Sequence, residues 1–256
     1  MSFGLVERFF GNKVVVVVAL LIGCTVIAPM QRRVDAADNL GDTNALVDAF
    51  RHVEVASISD ALEQLLHEKR FMSHNMRPIA PTRFAGLALT VKLVKQEHAS
   101  SEALNGMLEA IDKGGPGSVY VMEIENGADT AGMGGLMGTA MSSRGFAGAV
   151  IGGGVRDLPQ LTKIGFPVYA LGVVPSTAVG HYRFEAMNVP IMCDGVEVSP
   201  QDIVVADADG VVVVPRAKAA EVLALAQKLD NTEHSTYPFI EKLHSIVEAV
   251  KQFGRI

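Results

Sequence analysis

From residue 43 onward, short apolar runs alternate with stretches of helical periodicity, and this alternation limits the fold more than any other feature of the sequence. Ala45, Leu46, Ala49 and Phe50 share one helical face, with Thr43 placed to cap it. The segment Ser57–Leu66 starts a second helix that turns Ala61, Leu62, Leu65 and Leu66 inward. Residues Ile79–Lys95 contain strand-like segments, and Glu102–Asp112 is a helix with Leu104, Met107, Leu108 and Ile111 inward. Ser118–Ile124 then reads as a buried strand, Met137–Arg144 as a helix, and Ala147–Ile151 as a strand ending in a turn at Gly152-Gly153-Gly154. A short helix at Leu158–Ile164 precedes strands at Phe166–Leu171, Pro190–Val198, Ile203–Ala206 and Val211–Val214. Helices at Arg216–Lys228 and after Pro238 close the chain. The order predicts an α/β domain, 44–256, with a mixed central sheet and flanking helices. No repeat and no shift in composition divides it.

Composition narrows the function. Apolar residues are 49% of the chain and charged residues 20%, the balance of a chain that buries a core. The formal charge is −6, which argues against a nucleic-acid partner, because phosphate binding draws on an excess of cations. With only two cysteines, neither a disulfide scaffold nor a Cys/His zinc constellation fits. Trp is absent and aromatics are 6%, so a stacking platform for sugars or bases is not expected.

Residues 1–34 stand apart. Val14–Met30 carries no charge and is flanked by Arg8 and Lys13 on one side and Arg32 and Arg33 on the other. The run ends in Leu21-Ile22-Gly23-Cys24, similar to a bacterial lipobox, which predicts export with lipidation at Cys24. An uncleaved anchor and a buried strand of valines are the alternatives, since 17 residues only just span a bilayer. The expected location is the cell envelope or periplasm, attached to the membrane through this segment, with a cytoplasmic protein as the alternative. Residues 35–43 are polar and read as a linker.

Three constellations could carry chemistry. Gly152-Gly153-Gly154-Val155-Arg156-Asp157 follows a strand directly; Arg156 offers a planar fork for a carboxylate, and Asp157 a hard oxygen for Mg²⁺ or Mn²⁺. A surface Arg-Asp pair on a glycine turn is the plain alternative. The stretch Asp129–Ala140 is glycine-rich and enters a helix, whose free N–H groups can hold an anion. Finally, His181 could be a base, and Asp207 and Asp209 could bind metal, although Asp-x-Asp-Gly between valine-rich strands is the pattern of a turn.

Several of these segments together resemble the RraA-like family. They are Phe146–Asp157 (FAGAVIGGGVRD), Gly165–Ala170, Asn188–Pro215 (NVPIMCDGVEVSPQDIVVADADGVVVVP), Ser57–Leu62 (SISDAL) and Arg77–Val91 (RPIAPTRFAGLALTV). The resemblance covers about residues 45–230 and implies a swivelling β/β/α-like core, assembled as a homotrimer or hexamer. That family includes the class II 4-hydroxy-4-methyl-2-oxoglutarate aldolases, so the resemblance implies a divalent-metal-dependent lyase. Such an enzyme would cleave or decarboxylate a small 2-oxo acid, as an aldolase or oxaloacetate decarboxylase does, and release pyruvate. On this resemblance the catalytic residues would be Arg156 and Asp157. Arg156 would hold the pyruvyl oxygens, Asp157 would be the protein ligand to Mg²⁺ or Mn²⁺, and the backbone N–H groups of Gly135, Leu136 and Met137 would bind the carboxylate. The chain departs from the pattern at two places where active members carry acids, Gly135 and Gly152. Glu123, Glu125 and Asp129 are the candidates to compensate. A catalytically silent binding or regulatory protein of the same fold is the second expectation.

Overall fold

A computed structural model describes residues 43–80 and 83–254. The leader and most of the linker therefore lie outside the described residues. By chain contacts Asn39–Ile256 forms one compact unit.

The helical elements are α1 (43–50), α2 (Val55–Leu66), a 3₁₀ turn at Ser101–Leu104, α3 (Asn105–Lys113), α4 (Gly135–Ser143), α5 (Leu158–Ile164), a 3₁₀ turn at Arg216–Lys218, α6 (Ala219–Leu243) and α7 (Ile246–Phe253). The strands are β1 (Arg77–Ala80), β2 (Phe84–Lys95), β3 (Ser118–Ile124), β4 (Ala131–Met133), β5 (Gly148–Val155), β6 (Val168–Val173), β7 (Tyr182–Met187), β8 (Ile191–Cys193), β9 (Val196–Val198), β10 (Ile203–Asp207) and β11 (Gly210–Val214). Nine of them form one mixed sheet in the order β1-β6-β5-β3-β2-β10-β11, with β4 added to β5 and β7 to β2. The β8–β9 hairpin stands apart. The fold is the mixed α/β domain the sequence predicts.

Strand β2 organises the sheet. One edge pairs in parallel with β3 from Leu87 to Leu93. On the other edge its first half pairs with β10 and its second half with β7, both antiparallel. The parallel strands β2, β3, β5 and β6 are covered on both faces, which explains why they read as unbroken apolar runs instead of alternating ones. One face carries the core under α3, α4 and α5, including Tyr120, Met122, Met141, Ile151 and Leu161. A second core joins α1, α2 and α6 to β10 and β11 through Phe50, Ile58, Leu62, Val205 and Val222. A third lies under the β8–β9 hairpin.

The structure differs from the sequence reading at four places. Gly152–Gly154 is not a turn: β5 runs through the glycines to Val155, and the backbones of Met122, Gly127 and Thr130 press against them. Strands β4 and β7 were not expected. Leu65 and Leu108, both read as inward, are 40 and 46% exposed. Helix α6 continues through Pro238, and its C-terminal half is held by α7, where the rings of Phe239 and Phe253 meet at 4.8 Å. Among the described residues no helix is long and apolar enough to cross a membrane.

Candidate functional site

Strand β5 delivers Arg156 and Asp157 to the carboxyl end of the parallel strands, where open α/β sheets place their ligands. The Arg156 N–H donates to Met133 O of β4 at 3.0 Å, which fixes where the side chain leaves the sheet. Its guanidinium donates to Ser176 O through Nη1 at 3.2 Å and, among the described residues, pairs with no carboxylate. Most of the fork is therefore free.

Asp157 has φ 60° and ψ 40°, a left-handed conformation that a non-glycine residue adopts at some cost. The carboxylate does not cap its own helix. It crosses instead to the start of α4, where Oδ2 accepts the Gly135 N–H at 2.9 Å. The other oxygen, Oδ1, has no partner among the described residues.

Arg156 and Asp157 line one cleft of about 170 Å³. Its walls come from four other places: Leu104, Met107 and Leu108 near and on α3; β4 with Gly134; Leu136 and Met137 on α4; and Thr177, Ala178 and Val179 on the loop from β6 to β7. The first N–H groups of a helix have no partner inside it. In α4, Asp157 takes that of Gly135, while no acceptor bonds those of Leu136 and Met137 among the described residues. The three backbone positions named from the resemblance are thus brought together with Arg156, but one N–H is already spent on holding Asp157.

The two glycines at acid positions are filled spaces. A Cβ on Gly135 would lie 3.0 Å from Gln160 Cγ and 3.3 Å from Asp157 Cβ. Gln160 is held there by its bond to Thr139 Oγ1 at 3.1 Å, and Thr139 in turn donates to Gly135 O at 2.7 Å. A Cβ on Gly152 would lie 2.9 Å from Met122 O and 3.3 Å from Cys193 Sγ. The candidate replacements for these acids point elsewhere. Glu123 pairs with Lys92 at 3.2 Å and accepts the Met192 N–H. Glu125 accepts the Lys95 N–H at 2.8 Å, and Asp129 contributes its backbone carbonyl to Ser176 Oγ. None of the three lines the cleft, so among the described residues Asp157 is its one carboxylate.

That donor set fits a weakly held hard cation. Mg²⁺ is commonly bound through one or two carboxylates, with water and substrate oxygens completing an octahedron, and Asp157 Oδ1 offers one oxygen of that type. The nearby acids that would hold the metal's waters are missing.

The remaining expected residues lie elsewhere. His181 begins the β7 region and pairs with Glu97 at 3.0 Å on the surface; that bond, followed by one from Lys95, pulls the Glu97 carboxyl below its usual value. Asp207 occupies the β10–β11 turn, accepting the Asp209 N–H through Oδ1 and the Val55 N–H at the start of α2 through Oδ2. Cys193 is buried against Met122 O, and burial pushes its thiol far above the ordinary range, so it is no nucleophile.

Sequence reasoning missed two things. One is the apolar wall that α3 contributes to the cleft. The other is a group of three metal-capable side chains, Glu54, Asp230 and His234, the only such group among the described residues. The i, i+4 spacing of Asp230 and His234 was the available signal. Asp230 is already used as an acceptor for the Glu54 N–H at 3.1 Å, and the group does not line the cleft.

Comparison with known proteins gives a consistent result. Residues 55–213 match the family model described as RraA-like: Aldolase/RraA. A protein of Halalkalibacterium halodurans named "Putative 4-hydroxy-4-methyl-2-oxoglutarate aldolase" is 29% identical over 187 residues, covering 71% of this chain and 82% of its own. An uncharacterized protein of Pseudomonas syringae pv. tomato has a solved structure similar to this one, with a TM-score of 0.71 and 28% identity, covering 80% of this chain and 96% of its own. RraAS2 of Streptomyces coelicolor, titled an unusual member of the RNase ES inhibitor RraA protein family, aligns with a TM-score of 0.67 and 27% identity over 75% of this chain and 95% of its own.

Proposed function

The chain belongs to the RraA-like family, and from that premise we propose that it is a divalent-metal-assisted lyase that cleaves or decarboxylates a small 2-oxo acid to pyruvate. The observation that carries this reading is the pair Arg156 and Asp157, consecutive in the chain, both lining one cleft and neither neutralised by another ion among the described residues.

The chemistry assigns each group a task. The Arg156 fork and the free N–H groups of Leu136 and Met137 hold the substrate's carboxylate and orient the 2-oxo group. Asp157 Oδ1 would hold Mg²⁺ or Mn²⁺, and the bond from Gly135 N to Oδ2 keeps the carboxylate aimed into the cleft. A bound divalent cation would polarise the 2-oxo group and stabilise the charge that develops as the C–C bond breaks. In retro-aldol cleavage of a 4-hydroxy-2-oxo acid, the C3–C4 bond breaks and its electron pair stays on C3. The hydroxyl proton leaves through water, and C3 takes a proton from water. In decarboxylation CO₂ leaves and C3 is protonated in the same way. Among the described residues no second carboxylate lines the cleft to relay that proton, so solvent at the mouth carries it.

The test is pyruvate release from 4-hydroxy-4-methyl-2-oxoglutarate, from oxaloacetate and from the monocarboxylic 4-hydroxy-4-methyl-2-oxopentanoate with Mg²⁺ or Mn²⁺, for the wild type and for Asp157→Ala and Arg156→Lys. Turnover that depends on metal and falls at least a hundredfold in both variants supports the proposal, and absence of any metal-dependent turnover refutes it. The lone cleft carboxylate favours one second reading, a binding protein that keeps the oxo-acid site without turnover.

Two further expectations enter the proposal. The protein assembles as a trimer or hexamer, which sedimentation would test. Residues 1–34 direct it to the cell envelope or membrane, supported by the uncharged run and the lipobox-like LIGC. Soluble cytoplasmic recovery of both the wild type and Cys24→Ala would refute the latter.

A further inference from the structure

The cleft around Arg156 and Asp157 is charged at one end only. Apart from those two, its single polar side chain among the described residues is Thr177, whose Oγ1 already accepts the Val179 N–H at 3.1 Å. The remaining side-chain wall is apolar. Leu104, Met107 and Met137 are buried beneath it, and Leu108, Leu136 and Val179 form a rim that is 46, 89 and 47% exposed. Among the described residues Arg156 is the only cation lining the cleft. It can neutralise one carboxylate, and a second carboxylate reaching along the cleft would lose water to a wall with no second cation and the Thr177 hydroxyl as its one side-chain donor among the described residues. The volume of about 170 Å³ suits a small molecule, and the methionines Met107, Met133 and Met137 let the wall adapt to branched shapes.

We infer that this cleft selects 2-oxo acids that carry a single carboxylate and an apolar aliphatic tail over dicarboxylic 2-oxo acids. The inference rests on the oxo-acid reading proposed above and sharpens it. The pyruvyl end lies on Arg156 and the start of α4, and the substituent lies along α3 and the Leu136–Val179 rim. For the lyase this makes the preferred substrate a 4-hydroxy-2-oxo acid with an apolar group on C4. Breaking its C3–C4 bond yields pyruvate and an aliphatic aldehyde or ketone; the hydroxyl proton is released to water and a proton is taken up at C3.

Binding distinguishes selectivity from catalysis. The probes are 5-methyl-2-oxohexanoate and 2-oxoglutarate, which differ by an isopropyl group in place of a carboxylate, titrated calorimetrically into the full chain with Mg²⁺. Burial of two methyl groups predicts at least tenfold tighter binding of the branched acid. Leu108→Arg, at a half-exposed position that tolerates the change, should move the ratio toward 2-oxoglutarate by a similar factor. Equal or tighter binding of 2-oxoglutarate by the wild type overturns the inference. So does an unchanged ratio in Leu108→Arg; if sedimentation changes with it, the rim is a contact between copies of the chain instead. A preserved preference with no pyruvate formed from any 4-hydroxy-2-oxo acid removes the lyase reading and leaves the selectivity standing. Binding of neither acid refutes both.

Discussion

Restoring an acid at position 135 tests whether Asp157 holds a metal. The change cannot be made alone. A Cβ at Gly135 would meet Gln160 Cγ at 3.0 Å and Cβ at 3.1 Å, so Gly135→Asp by itself overpacks the start of α4 at a cost of about 1–3 kcal/mol. Gln160→Ala removes the Cγ contact and leaves the one with Cβ at 3.1 Å for the start of the helix to absorb, at the loss of one hydrogen bond to Thr139. In the double variant a new carboxylate would stand beside Asp157. Without metal the two repel; at about 4 Å and an effective dielectric near 20 the upper bound is ~4 kcal/mol, reduced here by solvent because Asp157 is exposed. A divalent cation cancels the repulsion and gains a second anionic partner for its waters. The expected outcome is metal affinity at least tenfold above wild type, equal to about 1.4 kcal/mol. With metal well above both dissociation constants, the metal-induced rise in melting temperature should exceed that of the wild type by about 3–6 °C. Calorimetry of metal binding and melting with and without metal measure it, with Gln160→Ala alone as the control. A double variant with wild-type circular dichroism but no gain in metal affinity would refute the placement of the metal at Asp157.

Three shorter predictions follow from the same geometry. Gly152→Asp should destabilise the domain by about 3 kcal/mol or more, because its Cβ meets the Met122 carbonyl at 2.9 Å; adding Cys193→Ala should recover only part of the loss, since the backbone contact remains. Asp207→Ala removes the acceptor for the Val55 N–H and the ion pair with Arg83, and should lower unfolding free energy in urea by about 1–2 kcal/mol without changing ligand binding in the cleft. The His234 imidazole should titrate above its ordinary value near 6.5, raised first by the Asp230 carbonyl and then by the charges of Asp230 and Glu54. Its raised folded value means its contribution is complete below pH ~6.5 and is lost as pH rises through the folded midpoint; a proton NMR titration giving a midpoint at or below 6.5 would refute it.

Legibility followed locality. Strand β3 and helix α5 were read at their observed bounds because their signals lie within seven residues: an apolar run, and a helix between Asp157 and Gly165. Strand β4 has only three residues and exists because β5 passes beside it, which periodicity cannot register. The glycine triplet was read as a turn by residue type alone, whereas its actual constraint is the close approach of the Met122, Gly127 and Thr130 backbones from distant segments. In the site, Arg156 and Asp157 were legible because they are adjacent. The bond from Gly135 N to Asp157 spans 22 positions, and the role of Gln160 depends on two helices meeting, so neither left a local mark.

The glycines at 135 and 152 change the chemistry of the cleft in a direction that can be reasoned through. With an acid at 135 the start of α4 would set Arg156 against two carboxylates, and an anionic substrate would enter more readily once a dication had offset them. Here Arg156 and Asp157 alone balance to zero, so a monoanion meets an arginine with no excess of negative charge around it. The filled spaces show that this is a packed arrangement: Gln160, tied through Thr139 to Gly135 O, occupies one acid's position, and Cys193 with the Met122 carbonyl closes the other. Lower charge weakens the hold on a metal and at the same time suits an uncharged tail along Met107 and Leu136. The proposed weak metal affinity and apolar substrate preference would therefore both follow from one change, and an acid at 135 should strengthen the first while leaving the wall that sets the second intact.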